Sequence, residues 1–369
     1  MSETKQEKKR ITLRDVAEEA GVSLKTASNV INNSGRMSES TREKVQEVID
    51  RLGYRVNVAA RNLNRGNTGF ITLAVPSLTA PYLAELANRV IDTARLHDYS
   101  VYVTTYAEGS VGGIRALLEG FNTTVSDGMI LSISEVENLS PEDFEVDYPL
   151  VCVGARGTYG KADHVTPDDV QAARLAAEHL FDRGATRIAV VGARTAQEDL
   201  TSLFDSTEGN AQLRMRGVLE ACESRGIAFD PRLLGNTGYD WTIGSGARVT
   251  QELIDSGMPF DGIVAFNDQL ALGALFTLAA NNIDVPDQVQ VIGFDNIEEA
   301  AYFQPPLTTM DSCLDWTAPT AFNRIVDRIG GRHLEPELIT TQSRVIARAT
   351  TRAATRSIPS ATTRDATHA

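Results

Sequence analysis

The stretch Thr12-Leu-Arg-Asp-Val-Ala-Glu-Glu-Ala-Gly-Val-Ser-Leu-Lys-Thr-Ala-Ser-Asn-Val-Ile31 carries two short helical faces separated by a glycine. Thr12 opens the first, with Asp15 three residues on in a capping-box-like arrangement. Leu13, Val16, Ala17 and Ala20 fall at i, i+3, i+4 and i+7, which is one side of a helix. Gly21 ends it, because glycine takes the left-handed turn cheaply. Ser23 caps a second helix whose inner face is Ala27, Val30 and Ile31. Helix, three-residue glycine turn and helix form a helix-turn-helix. A third helix is predicted over 38–52, with Val45, Val48, Ile49 and Leu52 inward and Gly53 as its stop.

The outer face of the second helix offers Leu24, Lys25, Thr26, Ser28 and Asn29. Lysine can donate to guanine N7 and O6, asparagine can pair bidentately with adenine, and leucine can pack on a thymine methyl. Any solvated helix face has a similar composition, so on these residues alone both readings stand. Charge leaves both readings open as well, since a modest positive balance also suits an ordinary surface. Residues 1–66 hold 13 Lys and Arg against 9 Asp and Glu, a balance of +4, while the rest of the chain carries −18. A basic head on an acidic body suggests that only the head seeks a polyanion.

The chain has 369 residues, enough for two or three domains. With 42% apolar and 23% charged residues it is neither a largely disordered chain nor a fibre. The longest apolar stretch, 270–280, is about half a membrane span, and the polar N-terminus is not a secretory signal. No membrane association is expected. Cys152, Cys222 and Cys313 are odd in number and far apart, giving neither a disulfide framework nor zinc spacing, and they fit a reducing cytosol. The expected location is therefore cytoplasmic.

Directly after the third helix, residues 54–66 form a short predicted helix with one apolar ridge flanked by arginine. Taken with 12–23, Ser-Asn-Val-Ile-Asn (28–32), Ser-Glu-Ser-Thr-Arg-Glu-Lys-Val (38–45), Leu-Gly-Tyr (52–54), Asn57 and Ala60-Arg61-Asn62-Leu63, the sequence resembles the lactose-repressor (LacI/GalR) family of bacterial transcription regulators. The resemblance continues to about residue 348. It implies that the helix after Ser23 lies in the major groove, with Leu24, Lys25 and Asn29 at base-reading positions. It implies a hinge helix over about 57–64, bearing Asn57, Ala60 and Arg61, that enters the minor groove. Leu63 matches the wedge leucine that kinks the duplex. Val56 stands where the family usually has a proline that pre-sets the hinge turn.

Beyond residue 67, short β-branched runs alternate with amphipathic stretches. Strands are predicted at 70–75, 99–106, 128–133, 150–153, 187–191, 262–266 and 290–294. Helices are predicted at 82–97, 171–183, 212–225, 243–256 and 269–281. Such alternation indicates parallel sheets covered on both faces, and about 280 residues suit two lobes with a cleft. The fold class is α/β: an all-α head with its hinge helix, then a two-lobed body resembling periplasmic binding proteins. The expected division is a flexible 1–10, a head 11–55, a hinge 56–66, a body 67–349 and a disordered tail 350–369. The first lobe would take about 67–166 and 312–334, and the second about 167–311 and 335–349, joined by three crossovers that act as a hinge.

Ligands of such sheets sit beyond the carboxyl ends of the strands. That rule selects Ser77 and Tyr82, Asn267 and Asp268, and Asp295, with Arg214 leading into a helix. The resemblance makes these the effector-contact positions and adds Trp241 as an aromatic platform. Arginine donates in a planar fork, aspartate accepts from vicinal hydroxyls and asparagine does both, a set suited to a polyol. Plainer roles remain open: Asp268 as a helix cap, Asp295 in a turn, Trp241 and Tyr82 in packing, and Arg214 in a surface ion pair. Asp168 either contacts the ligand or starts a helix. Gly154-Ala155-Arg156 stands where family members often carry an aspartate.

No Gly-x-Ser-x-Gly elbow, His-Glu-x-x-His or complete phosphate loop occurs, and the five histidines are scattered. Neither an enzyme, a metal site nor a cofactor is expected. The resemblance implies a homodimeric regulator of a palindromic operator, nucleoid-associated when bound to DNA. Its most natural form is a repressor released by a small carbohydrate. A corepressor mode, or a sugar-binding protein with no DNA role, are the alternatives.

Overall fold

The computed structural model describes residues 11–31, 34–54, 67–107, 111–134, 139–194, 200–207, 209–332 and 335–353. The chain divides into two units, Met1–Thr68 and Gly69–Ala369. The expected hinge helix, with Asn57, Ala60, Arg61 and Leu63, lies outside the described residues, as do 1–10 and 354–369.

In the first unit, α1 (Leu13–Glu19), α2 (Leu24–Ile31) and α3 (Glu39–Leu52) pack around one apolar cluster. Thr12 and Asp15 form the capping box of α1, with Asp15 Oδ2 accepting from Thr12 N at 2.7 Å. Gly21 turns the chain at φ +63°, which a residue with a Cβ enters only at a cost. Ser23 Oγ accepts from Thr26 N at 3.0 Å and starts α2. Ser38 caps α3, and Gly53 closes it in the left-handed region. Val16, Ala17, Ala20, Ala27, Val30, Val45 and Val48 are buried between the three helices.

The second unit contains two six-stranded sheets. The first is built from β1 (Phe70–Val75), β2 (Ser100–Thr105), β3 (Met129–Ser132), β4 (Leu150–Val153), β5 (Asp163–Pro167) and β11 (Leu338–Thr341). Their order is β11-β5-β4-β3-β1-β2, all parallel. The second holds β6 (Ile188–Ala193), β7 (Leu234–Asn236), β8 (Gly262–Ala265), β9 (Gln290–Asp295), β10 (Thr308–Asp311) and β12 (Val345–Ile346), in the order β12-β10-β9-β8-β6-β7. Only β12 runs antiparallel, against β10. β3, β4, β6 and β8 are buried along their whole length. Such continuous apolar runs are the mark of strands covered on both faces.

The covering helices of the first sheet include α4 (Pro81–Leu96), α5 (Val111–Glu119) and α12 (Leu314–Ile329). The second is flanked by α6 (Asp169–Phe181), α8 (Asn210–Ser224), α9 (Ile243–Asp255) and α10 (Asp268–Ala280), with the short α7 (Leu200–Leu203) and α11 (Glu298–Tyr302) at its margins. Gly246 on α9 and Gly273 on α10 face each other. A Cβ on Gly273 would come within 2.2 Å of Ile243 O, and one on Gly246 within 2.4 Å of Leu270 O. No described helix is long and apolar enough to cross a membrane.

Three connections join the sheets, and they are laced together. Asp168 N donates to Thr341 O and Asp311 N to Arg344 O, both at 2.9 Å. The Gln171 amide bridges both ways to the backbone of Ser343, at 3.2 and 3.4 Å.

Two expectations need correction. Residues 335–341 do not belong to the second lobe. β11 extends the first sheet beside β5, with Leu338 opposite His164, because buried Asp163 accepts from Glu337 N at 2.9 Å and draws the strand in. The chain crosses only after Thr341. Residues 350–353 are likewise not a disordered tail. Thr350 is wholly buried. Its hydroxyl donates to Val291 O and accepts from Thr308 N, both at 2.7 Å, so small polar residues are held by the sheet's own backbone groups.

Candidate effector cleft and DNA-reading helix

Each sheet reverses its direction of winding between two neighbouring strands, β1 and β3 in the first and β6 and β8 in the second. Crevices open at such switch points, beyond the carboxyl ends of the strands. A cavity of about 380 Å³ lies there, walled by residues of both lobes. Its volume falls in the range of small-molecule sites.

Of the eight residues named for an effector site, six line this cavity, Ser77, Tyr82, Arg214, Trp241, Asn267 and Asp295, but not Asp268. Asp168 does not line it either. It is the N-cap of α6, its Oδ1 accepting from Gln171 N at 2.9 Å. The next residue, Asp169, faces the cavity instead.

Arg214 is 9% exposed. Its Nε donates to Asp169 Oδ1 at 2.7 Å and its Nη1 to the carbonyl of Phe266. Its guanidinium carbon lies 4.4 Å from the centre of the Phe294 ring and 5.7 Å from that of Trp241. Contact with aromatic faces at such distances suits guanidinium. Burial pulls its pKa down, but Asp169 and Asp295 outweigh that, so the cation is reinforced. Asp169 also accepts from Asn210 Nδ2 at 3.3 Å, which fixes the carboxylate that fixes the arginine.

Asp295 ends β9 with φ +100°, and Asn296 follows at +53°. Two successive non-glycine residues at positive φ store strain of the sort found at ligand sites. Buried Asp268 supports this turn, its Oδ2 accepting from Ile297 N at 3.0 Å and its Oδ1 from Thr309 Oγ1 at 2.6 Å. Asp268 therefore does not cap α10, the role left open for it. Asn267 does, accepting from Leu270 N at 2.8 Å. Burial, with Asp169 adding to it and Arg214 opposing, raises the Asp295 pKa to about 6. Burial and the proximity of Asp295 likewise push the Asp268 carboxyl well up. The Tyr82 phenol is pushed up by burial, then by Asp295 and Asp169, so it remains a neutral donor.

The wall also includes Ser132, Ser134, Asp169, Asn210, Gln269 and Ser343, which the sequence reading passed over. Ser132 and Ser134 sit at and beyond the end of β3 and were open to the same rule that selected Ser77. Arg156 turns away from the cavity, donating to Leu139 O at 3.1 Å and Tyr159 Oη at 2.7 Å.

In the head, Leu24 is 48% exposed and Lys25 is exposed, at the start of α2. Thr26, Ser28 and Asn29 are half-buried. Thr26 Oγ1 lies 2.8 Å from Ser23 Oγ and so shares in the cap. The Asn29 amide packs against Gly35, where a Cβ would meet Nδ2 at 2.8 Å.

Residues 12–57 match the model of bacterial regulatory proteins of the lacI family, and residues 177–351 match a periplasmic binding protein-like domain. The chain is 31% identical to the HTH-type transcriptional regulator DegA of Bacillus subtilis, over 81% of this chain and 86% of that one. It belongs to the LacI family. A LacI-type transcription regulator of Bifidobacterium animalis subsp. lactis shares the fold with a TM-score of 0.72 at 34% identity, covering 76% of this chain and 99% of that one. The transcriptional regulator CelR in complex with cellobiose superposes with a TM-score of 0.67 at 26% identity, over 92% and 100% of the two chains. As a LacI-family protein the chain is a DNA-binding transcription regulator, with the helix-turn-helix as its DNA-binding part and the two-lobed body as the part that answers a small molecule. The relatives named here are regulators and not enzymes.

Proposed function

We propose that the chain is a homodimeric cytoplasmic repressor that leaves a near-palindromic operator when a small carbohydrate fills the cleft, and that it binds this effector without transforming it. The observation that carries this reading is the convergence of Arg214, Asp295 and the Trp241 and Phe294 rings on one cavity between the lobes. A planar donor, an acceptor and aromatic walls match a polyol with an apolar ring face. The CelR structure, with its cellobiose, supports the same class of effector.

In this reading Leu24, Lys25, Thr26, Ser28 and Asn29 serve the major groove, and Asn57, Ala60, Arg61 and Leu63 the minor groove. A dimer reads two half-sites, which makes the operator symmetric. The effector favours one lobe angle over another, since equal affinity for both would shift nothing. That angle sets the spacing of the two hinges and hence whether Leu63 can hold the kink.

The test is a gel shift on DNA from the chain's own promoter region, run with and without a set of sugars. Retention at low salt that one sugar abolishes is the expected result. Leu63→Ala should weaken retention and leave sugar affinity intact. No retention on any duplex, with or without sugar, would overturn the reading.

A further inference from the structure

Among the described residues the cleft wall carries four carboxylates, Asp169, Asp240, Asp295 and Asp311, against a single cation, Arg214, and neither lysine nor histidine. Arg214 is already engaged by Asp169 and by the Phe266 carbonyl. Asp311 has its own partner in Arg344, at 3.0 Å. The Asp295 carboxylate has no hydrogen-bond or ion-pair partner among the described residues, and it stands in the wall on a strained turn.

The usual alternative for holding an anion is the N-terminus of a helix. Several helices begin at this cleft, and most are closed by their own chain. Asp168 caps α6, Thr242 caps α9 and Asn267 caps α10 through their side chains. Pro81, which has no N–H, begins α4. Asn210, the first residue of α8, gives its amide to Asp169. Each cap thus takes up one N–H of its helix, Pro81 has none to give, and the start of α8 is set beside the Asp169 carboxylate.

On the reading that the cleft takes a carbohydrate, we propose that it is selective for the uncharged form and rejects phosphorylated or acidic sugars, with Asp295 as the discriminating residue. Neutral hydroxyls can donate to Asp295 and exchange bonds with Ser132, Ser134 and Thr166 around the wall. A phosphate or carboxylate in the same place faces Asp295 with no free cation among the described residues to offset it, and like charges close together repel. The raised pKa values of Asp295 and Tyr82 point the same way, because both report surroundings that already resist negative charge.

The experiment is isothermal titration of the full chain at pH 7.5 with neutral mono- and disaccharides, each beside its 6-phosphate and its uronic acid. A neutral sugar should bind, and its anionic counterparts should bind at least tenfold more weakly. Asp295→Asn should narrow that ratio, weakening the neutral sugar while leaving the anions unchanged or tighter. Anionic forms that bind within tenfold of the neutral sugar, or a ratio unmoved by Asp295→Asn, would overturn the proposal. Binding of sugar phosphates alone would overturn it and leave the carbohydrate reading standing. Failure of every sugar, neutral or acidic, would remove both.

Discussion

Asn267 Nδ2 donates to the carbonyl of Trp241 at 3.0 Å while its Oδ1 receives Leu270 N at 2.8 Å. One amide thus starts α10 and pins the loop that carries the aromatic wall of the cleft. One of its two N–H groups and its oxygen are engaged within the protein, so Asn267 shapes the cavity as well as lining it.

Two substitutions separate its tasks. Asn267→Ala removes the cap and the Trp241 tether together and is expected to cost about 1 kcal/mol of stability. Asn267→Asp keeps an acceptor for the cap and loses the donor to Trp241. Urea midpoints should fall clearly only for the alanine variant, while effector affinity should fall for both. Equal loss of stability in both would mean that the cap contributes little.

The positions of Asn267 and of the residues beside it explain how far the sequence could be read. Central strands were legible because burial on both faces demands unbroken apolar runs, and the head was legible because Gly21 and Gly53 punctuate it. β5 and β10 were not, because buried positions on them are polar: Asp163, His164, Thr166, Thr308 and Thr309; nor was β11, an edge strand with no buried position at all. Asp163, Thr308 and Thr309 are satisfied by groups far along the chain, as Thr308 Oγ1 is by Thr351 at 3.0 Å, and pairing of that kind leaves no periodic trace. The Asp168–Asp169 pair shows the finest limit. Which aspartate caps and which faces the cleft turns on one residue of helix start, and adjacent helical positions point about 100° apart.

A second prediction concerns pH. The Asp295 pKa lies at about 6, above its ordinary 3.8, so the folded state holds that proton more tightly than the unfolded chain does. The stabilising contribution is fully present below the ordinary value and is lost as pH rises through about 6. Asp295→Asn removes this dependence. It is expected to be more stable than the native chain by about 3 kcal/mol above pH 7, with the advantage fading as pH falls from about 6 towards 4. Paired denaturation curves across that window measure it, and a constant difference at every pH would contradict the assignment. Sugar affinity should move the other way in the native chain, rising with pH as the carboxylate ionises.

The Arg214–Asp169 pair allows a third. Both side chains are buried, so removing one leaves the other charged without compensation. Asp169→Ala is expected to cost about 3–5 kcal/mol and to release the guanidinium from its place beside Phe294 and Trp241. Arg214→Ala should abolish the sugar response and spare DNA binding in a gel shift. A normal response in Arg214→Ala would show that the cavity is not the effector site.

The last concerns Asp163, which is 0% exposed and joins three elements at the edge of the first sheet. Its Oδ2 lies 2.7 Å from Arg328 Nε and 3.0 Å from Arg324 Nε, while its Oδ1 accepts from Glu337 N. Burial alone would raise its pKa, but Arg328, Arg324 and the Glu337 N–H outweigh burial and hold it below the ordinary value. Its sign is therefore opposite to that of Asp295: the stabilisation is present above the ordinary carboxylate pKa and is lost as pH falls. Asp163→Ala leaves two arginines of α12 facing a buried gap and removes the anchor of β11. A loss of about 3–5 kcal/mol at pH 7 is expected, shrinking as pH falls below about 4. Amide hydrogen exchange should report faster exchange along Leu338–Thr341 than along the central strands β3 and β4. A variant whose 338–341 amides stay as protected as in the native chain would mean that backbone pairing with β5 holds this strand without the carboxylate.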